Sequence, residues 1–480
     1  MQKFIFVGLL LYGIKICAQS LIMPDHDYMV HLYGSAETQQ QALRPVWSRE
    51  EKKIGNQKQN IRERLWNNNL WTLKDSVSVF WIKADVDLNL QAGVTINDTG
   101  LYRYINGRGI WIRSGIGKKL TLETLFSEYQ ARPDTDQSAF YRRGTVPGFG
   151  RWKAFESNGY DFAAASGVVG IQLNTRWHFS FGQGKHQVGH GYRSLLWSDY
   201  MPSYPFAKLQ FQAKNNRWRY DALWASMSDY PNKSVHPLTE PLYRRAAASF
   251  QLLEWNPHSK ISLLAFQSIR SRAVTAQNAP QLNLAFANPL MFYNALNFGL
   301  HDSLNNVNLG AMLQVKINSN WIVYAQTLLD QSMLQKDFNV WAYQMGLHYY
   351  HRLDQQVLHV QCEYNSMAQG MELEAPRQYG MRWSSLQNPG RETLLRFQWR
   401  RSRILLTLST QAWQAYSSSF LLAPNTTTLS AQLEGGFVLN PERRWIFSGG
   451  IKSIHLASAK SNYLYVSLKT FLYNWYNDIR

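Results

Sequence analysis

Polar and apolar residues alternate with a period of two along most of the chain. In "VDLNLQAGV" (86–94), the apolar side chains fall on one face, and Asp87, Asn89 and Gln91 fall on the other. The segments "IQLNTRWHFSF" (171–181) and "LHVQCEY" (358–364) repeat the pattern. Because successive side chains of a strand point to opposite faces, each segment predicts a strand with one apolar and one polar face.

Two architectures fit this alternation, a soluble sandwich and a membrane barrel with a polar interior. Large polar groups such as Arg176 and His178 lie on the polar faces, and aromatic residues recur at strand ends, as in "NNRWRYDALW". At about 22 residues per strand and connection, the alternating region is long enough for about 18 strands, and single-chain bacterial barrels have even strand numbers in this range. We therefore predict an all-β fold, a transmembrane outer-membrane β-barrel of about 18 antiparallel strands, over residues 76–480.

The first 75 residues follow a different pattern. Residues 1–18 have an early lysine and an apolar stretch that ends in "ICA", which predicts a cleaved signal peptide. Residues 19–75 form an N-terminal segment, rich in Gln, Glu, Lys and Arg from position 36 onwards. This composition favours helix, with Ser48 as a capping residue. We predict a small helical element on the periplasmic side of the barrel, with a solvated linker as the alternative.

Charge narrows the choice of partner. The chain has 50 Lys and Arg against 32 Asp and Glu, and loss of Lys3 and Lys15 with the signal peptide leaves a net charge of +16. A basic protein attracts acidic partners, such as an acidic polysaccharide or lipid phosphate. The predicted export and barrel argue against nucleic acid. After cleavage Cys362 is the one remaining cysteine, so we expect no intrachain disulfide.

The stretch "GQGKHQVGHGYRSLLWSDY" (182–200) concentrates the candidate chemistry. It does not match a phosphate-binding loop, because Lys185 is followed by His186 and the glycine spacing is wrong. His186 and His190 could bind a metal, and Ser194 or Ser198 could join His190 and Asp199 in a triad, but no GxSxG elbow is present. The simplest interpretation is a strand, 177–182, that enters a glycine-rich bend and a partly lumenal segment containing a network with Arg193 and Asp199.

The same stretch resembles the signature of the Wzi capsule-assembly family of outer-membrane proteins, which includes relatives associated with gliding motility. The similarity extends to "LRPVWSREE" (43–51), "VPGFGRWK" (146–153) and "NPLMFYNAL" (288–296), in the family's order. The signature residues, structural or polysaccharide-binding, are Lys185, Gly189, Gly191, Tyr192, Arg193, Ser194, Leu195, Ser198, Asp199, Tyr204, Pro205 and Phe206.

The resemblance implies a non-enzymatic, lectin-like barrel that anchors capsular polysaccharide at the cell exterior, integral to the outer membrane. We expect no cofactor and no metal. The basic and aromatic stretch "YRRGTVPGFGRWKAF" (141–155) has the composition that sugar binding uses, although girdle or lumen residues would look alike. Two alternatives stay open: an accessory of gliding or secretion machinery with a protein partner in the envelope, and a passive diffusion channel.

Overall fold

The computed structural model describes residues 20–22, 43–44, 46–48, 65–75, 80–96, 102–117, 119–133, 145–155, 159–229, 244–271, 287–293, 296, 305–330, 341–368, 377–378, 381–382, 389–416, 426–456, 459–470 and 472. Eighteen long strands form one closed antiparallel barrel, as predicted. In chain order they are β1 (Phe80–Thr95), β2 (Tyr102–Ile116), β3 (Leu120–Arg132), β4 (Gly159–Gln172), β5 (Trp177–Gly184), β6 (Tyr204–Gln212), β7 (Trp218–Asp229), β8 (Arg244–His258), β9 (Ile261–Ser271), β10 (Asn305–Lys316), β11 (Trp321–Asp330), β12 (Trp341–Leu353), β13 (Gln356–Met367), β14 (Gly390–Arg401), β15 (Ile404–Ala415), β16 (Thr427–Asn440), β17 (Trp445–Leu456) and β18 (Ala459–Thr470).

Each strand pairs with the next one along the chain, and β18 pairs with β1 to close the ring. The two ends of the barrel differ in their connections. At one end, turns as short as residues 259–260 or 354–355 join the strands. At the other end, the connections include residues 133–158, 185–203 and 272–304. We call these the short-turn end and the long-loop end.

The polarity of the wall is the reverse of that of a soluble protein. On β13, His359, Gln361, Glu363 and Asn365 are buried and face the lumen, whereas Cys362 is exposed on the outer face. Apolar side chains are exposed on the outer face of many strands, among them Phe126, Leu313, Met345, Leu395, Leu433 and Val466. An apolar exterior around a polar interior is the arrangement of a barrel whose outer surface meets lipid.

Aromatic pairs ring the short-turn end. Trp177 packs against Phe211 with ring centroids 4.9 Å apart, and Trp218 stacks on Trp255 at 5.3 Å. Both pairs join the outer faces of neighbouring strands. Aromatic belts of this kind lie at the boundary between hydrocarbon and water.

One predicted strand is two strands. Residues 171–181 were expected to continue without a break, but β4 ends at Gln172 and β5 begins at Trp177. The Asn174 side chain accepts hydrogen bonds from the backbone N–H groups of Arg176 and Trp177, at 2.8 and 3.0 Å. Asn closes tight turns in this way, so a turn interrupts the alternation without disturbing its parity.

The N-terminal segment is described only in part, and the predicted signal peptide lies outside the described residues. Residues 65–67 are helical, but Leu43–Arg44, Val46–Ser48 and Trp71–Lys74 are extended, so helix does not extend over the whole predicted stretch. Trp71–Lys74 pairs with residues 81–84 of β1, on the edge that β18 leaves uncovered. Pairing a bare strand edge explains why this piece is extended. No helix of the described residues is long and apolar enough to cross a membrane.

The helical turn lies at the short-turn end. Asn440 Nδ2 donates to the carbonyls of Leu65 and Asn68, at 2.9 and 3.0 Å, and Asn440 ends β16 at this end. Asp85, buried on β1, accepts hydrogen bonds from Asn69 Nδ2 and from the backbone of Leu70. These contacts place the helical turn at the short-turn end of the barrel, and its position on the periplasmic side stays a prediction.

Candidate functional site

Residues 185–203, which connect β5 to β6, fold into the lumen and reach the opposite wall; we call them the crossing loop. The loop leaves the wall at β5, and Arg193 forms an ion pair with Glu392 on β14. In a ring of 18 strands, β14 lies nine strands from β5, so the two are diametrically opposite. The loop therefore spans the full width of the lumen.

The far part of the loop is held by polar side chains that point inward from β11, β12 and β13. Gln344 Nε2 donates to the carbonyl of Arg193 at 2.7 Å, and the N–H of Tyr192 donates to Glu363 at 2.8 Å. His348 Nε2 donates to the carbonyl of His190 at 2.9 Å. Each of these bonds fixes the loop backbone, so the loop is a structured partition of the lumen.

Arg193 forms a buried ion pair with Glu392, a partner that the sequence did not indicate, and the predicted network that joins Arg193 to Asp199 stays a prediction. Both Arg193 and Glu392 are almost fully buried. Asn365 Nδ2 donates to the other Glu392 oxygen at 2.8 Å. The Tyr192 ring lies beneath the guanidinium of Arg396, 4.4 Å away. A buried charge pair of this kind is strongly destabilised when one partner is removed.

Two signature glycines are required by close packing. Gly189 has φ +99°, and a Cβ there would overlap the Gln326 side chain. A Cβ at Gly191 would overlap the Gln344 side chain. Because both glutamines hold the loop, the backbone must approach them more closely than any residue with a Cβ permits.

The near part of the loop packs against β6 and β8. His186 Nδ1 lies 3.0 Å from the Tyr204 hydroxyl, and its ring meets Phe206 edge-on at 4.5 Å. Trp197 stacks on Phe250 of β8 at 3.6 Å. Tyr204 and Phe206 are buried, whereas Pro205 between them is exposed on the outer face. The signature therefore divides into a group at the wall and a group across the lumen.

Burial lowers the pKa of two groups in the near part of the loop. It lowers the pKa of the Lys185 ammonium to about 8, and the Asp199 carboxylate partly offsets this fall. Burial also lowers the pKa of the His186 imidazole well below its usual value, and Lys208 adds to the effect. His186 is therefore neutral at physiological pH, and Lys185 is a cation that readily gives up its proton.

The serines of the signature make structural contacts. Ser194 Oγ bonds to the carbonyl of Val188 and accepts from the N–H groups of Leu196 and Trp197, at 3.2 and 3.3 Å. Ser198 Oγ accepts from the N–H of Tyr200 at 3.4 Å. The two histidines weighed as metal ligands lie apart, since His186 is at β6 and His190 is beside Tyr324 of β11. The described residues contain no cluster of three or more potential metal ligands.

A cavity of about 510 Å³ lies where the crossing loop leaves the wall; we call it the wall cavity. Its volume is within the range of small-ligand pockets. Four cationic side chains, two carboxylates and four aromatic rings line it: Arg108, Arg151, Lys153, Lys185, Glu128, Asp161, Tyr129, Phe149, Trp152 and Phe162. Part of the predicted stretch 141–155 therefore meets Lys185 of the signature here.

The aromatic part of the lining is a packed cluster. Tyr129 stacks on Phe162 at 5.0 Å, and Phe149 meets Tyr129 edge-on at 4.9 Å. The Lys185 ammonium lies over the Phe149 ring, 5.7 Å from its centre. Trp152 packs edge-on against Tyr160 at 4.5 Å and is half-buried. This cluster holds the hairpin around Gly150–Phe155 in place and presents ring faces beside cations.

The sequence did not indicate which residues contact the signature, or which residues from β2, β3 and β4 line the wall cavity. Glu392, Glu363 and Gln344 lie about 150–200 positions away in the chain from the loop they hold. Their parity within strands marks them as inward-facing, but nothing local says which loop they meet. Arg108, Glu128 and Asp161 likewise have no local signal that joins them to Lys185.

The comparisons with known proteins support the fold. A solved structure described as Wzi, an outer-membrane protein involved in group 1 capsule assembly in Escherichia coli and a carbohydrate-binding β-barrel, is similar at 11% identity and a TM-score of 0.54, over 81% of this chain and 85% of that one. The Pseudomonas aeruginosa protein OccK8 matches at 10% identity and a TM-score of 0.43, over 80% of this chain and 97% of that one. OpdK with vanillate, from the same organism, matches at 8% identity and a TM-score of 0.46, over 81% and 98%. No protein-family profile and no curated protein matches the chain.

At this identity, the likeness to Wzi shows the barrel fold alone, and the other two likenesses are too weak to carry an argument. The fold predicted from the sequence is confirmed, whereas family membership remains a distant structural resemblance. The role of the signature residues, structural or binding, stays a prediction.

Proposed function

We propose that this protein is a non-enzymatic, integral outer-membrane barrel that holds an acidic surface polysaccharide at the cell exterior. The short-turn end then faces the periplasm and the long-loop end faces out, as in other barrels of this type. The wall cavity carries the proposal. It places Trp152 and the Phe149 ring beside Arg151, Lys153 and Lys185 at the long-loop end.

This lining suits a charged sugar. Aromatic ring faces stack on the apolar faces of pyranose rings, and arginine forks bind carboxylates through two parallel hydrogen bonds. The net positive charge of the chain adds long-range attraction for an acidic polymer. The structural likeness to a barrel described as carbohydrate-binding agrees with this proposal without testing it.

The competing proposal of a passive diffusion channel is less well supported. A channel of this strand number needs an open lumen, whereas the crossing loop joins β5 to β14 across the whole width. Conductance of the purified protein in planar bilayers tests this directly. Large steady openings in the wild-type protein would favour the channel and would count against a plugged barrel.

The test of the main proposal is retention of the producing cell's own polysaccharide by the purified protein. Replacing Trp152→Ala removes a half-buried aromatic ring from the cavity lining, and we expect a two- to tenfold loss of affinity, about the worth of one aromatic contact. Trp177→Ala is the matched control, because it removes the same ring from an aromatic pair at the other end of the barrel. Equal affinities in wild type and both variants would refute the proposed site.

A pull-down from detergent-solubilised envelopes tests the remaining alternative, an accessory of gliding or secretion machinery. A stoichiometric protein partner, together with no polysaccharide binding, would favour that alternative. Polysaccharide binding without such a partner would favour the main proposal.

A further inference from the structure

The wall of the barrel has a gap at its long-loop end. On one edge β4 pairs with β3 throughout residues 160–171. On its other edge β4 pairs with β5 only over residues 167–172, and with the hairpin strand only over residues 159–162. Within the described residues, no strand pairs with residues 163–165 on that edge; we call this the wall gap.

The gap arises because β5 is short. It contains eight residues and leaves the wall at Gly184, where the crossing loop turns into the lumen. β4 continues upward beyond that point. The Gln183 side chain reaches across and donates to the carbonyl of Ala165 at 3.4 Å, in place of a paired strand.

The wall cavity passes through this gap. Consecutive residues of a strand point to opposite faces. Both Glu128 and its neighbour Tyr129 line the cavity, as do both Asp161 and Phe162. The first member of each pair belongs to the outer face and the second is buried on the lumen face. Among the described residues, the cavity therefore opens to the outer face of the barrel, and Lys185 lies at its inner end.

The gap lies at the level where the outer surface turns from apolar to charged. On β3, Phe126 is exposed opposite Ala165, and the next outward residue, Glu128, is opposite Ala163. Above this level the outer face carries Arg108, Asp161 and Lys153. An unpaired strand edge in hydrocarbon would cost several kcal/mol for each polar group. β5 contains eight residues, counted from Trp177 in the aromatic belt at the short-turn end. A strand that spans the membrane needs roughly 9–11 residues, so β5 falls just short of that length. Both facts place the gap at the head-group layer.

We infer that the wall gap admits, from the side, the anionic sugar head group of a membrane-anchored glycolipid, which binds in the wall cavity with its charge near Lys185 and Arg108. This inference rests on the proposed saccharide binding and adds that the saccharide is attached to a lipid of the outer membrane. Four cations against two carboxylates in the lining select an anion. Sugar hydroxyls can donate to and accept from backbone groups at the wall gap. The outward opening selects a ligand held in the membrane.

The test is photo-cross-linking from the outer face. A benzophenone amino acid is introduced at Ala163, which is exposed at the gap, four residues from the long-loop end of β4. Ala431 is the matched control, because it is exposed on β16 at the same distance from the long-loop end of its strand. The protein is reconstituted in phosphatidylcholine nanodiscs under three conditions. The first nanodiscs contain lipopolysaccharide from the producing cell, and the second contain phosphatidylglycerol. The third contain phosphatidylcholine alone, and lipid-free saccharide is added to the solution.

We expect lipopolysaccharide adducts at position 163 about tenfold above those at position 431, the worth of one charge-assisted contact. Lys185→Met, which keeps the side-chain volume, should remove most of this excess and leave position 431 unchanged. If Lys185→Met does not fold, Arg108→Gln provides the same test, because Arg108 is exposed. It should also reduce the excess labelling at position 163. Phosphatidylglycerol should label the two positions equally.

Equal lipopolysaccharide labelling at the two positions would overturn the inference, as would labelling that both variants leave unchanged. A preference for phosphatidylglycerol at position 163, or equally efficient labelling by lipid-free saccharide, would also overturn it. The proposed function fails separately. Polysaccharide binding that depends on Trp152 can survive the loss of the lateral site, and absence of any saccharide binding removes both.

Discussion

The crossing loop and the wall cavity share Lys185 but differ in almost every other respect. In the loop, Tyr192, Arg193 and Ser194 use their polar groups on partners within the protein. In the cavity, Arg108 and Lys153 are exposed, and Trp152 is half-buried with a ring edge against Tyr160. The most motif-like residues of the sequence thus make their described contacts within the protein, and a much less distinctive stretch lines the cavity proposed for binding.

The difference follows from how each region is stabilised. A loop in the lumen loses its hydration, so every buried polar group needs a partner within the protein. At the rim of the wall cavity, Arg108 and Lys153 are exposed, so their charges stay accessible to water and need no partner within the protein. Substitutions in the loop should therefore change stability, and substitutions in the cavity should change binding.

The largest expected effect is at the ion pair across the lumen. Arg193→Ala leaves Glu392 buried without its cation and should lower the free energy of unfolding by about 3–5 kcal/mol. Thermal unfolding of the purified barrel, and its heat-modifiable mobility on gels, measure the loss. Arg391→Ala, one position from Glu392 but exposed on the outer face, is the control and should have little effect.

The double variant Arg193→Met with Glu392→Leu separates the pair from the side chains themselves. Because it leaves no unpaired charge, it should be more stable than Arg193→Ala alone. Wild-type stability in Arg193→Ala would contradict the view that this pair anchors the loop.

Lys185 should make stability depend on pH in the alkaline range. The unfolded chain keeps the lysine proton up to about pH 10.5, whereas the folded protein releases it near pH 8. Between these values the unfolded state binds more protons, so the contribution of Lys185 to stability rises with pH, by up to roughly 3 kcal/mol. The difference between wild type and Lys185→Met, measured by denaturant unfolding from pH 7 to pH 11, isolates this contribution.

Affinity for an acidic saccharide should move in the opposite direction. Loss of the ammonium above about pH 8 removes a cation from the wall cavity, so binding should weaken as stability rises. Two results together would count against this assignment. In the wild type, affinity and stability would change in the same direction with pH, and Lys185→Met would show the same pH profiles as the wild type.

Gly189→Ala should cost about 1–2 kcal/mol from its positive φ alone, with the overlap against Gln326 adding to it. Gly435→Ala on β16 is the control, because a Cβ there meets nothing within 4 Å. Chemical denaturation of the two variants gives the comparison. Equal midpoints would mean that the loop relaxes around Gly189 and is held less tightly than its contacts indicate.

The smallest effect is expected at Cys362. It is the neighbour of the anchoring residue Glu363 but faces outward, so Cys362→Ser should leave stability nearly unchanged. In intact cells Cys362 should also resist membrane-impermeant maleimides. A Cys362→Ser protein that carries Lys153→Cys is the positive control, since residue 153 is exposed at the long-loop end. Rapid labelling of Cys362 in the intact cell would invert the assignment of faces on β13.

Local rules were sufficient for the wall and insufficient for the loop. The outward position of Cys362 and the inward position of His359 and Gln361 follow from alternation, and the structure confirms them. Alternation does not register turns, so it joined β4 and β5 across the tight turn at Asn174. It also named Asp199 beside Arg193 and missed Glu392, because it compares positions within one segment, whereas Glu392 is 199 positions away.

The sequence by itself determined that this chain forms a barrel with an apolar exterior and a polar lumen, because strand parity and the polarity of side chains are local properties. It also marked the glycine-rich stretch as a bend and the stretch 141–155 as basic and aromatic. Only the tertiary structure decided that the bend crosses to β14 and that Lys185 meets Arg108 and Trp152 in one cavity. It also decided that, among the described residues, no strand pairs with residues 163–165 on one edge of β4. These features depend on closure of the ring and on unequal strand lengths, which bring together residues that no local pattern relates.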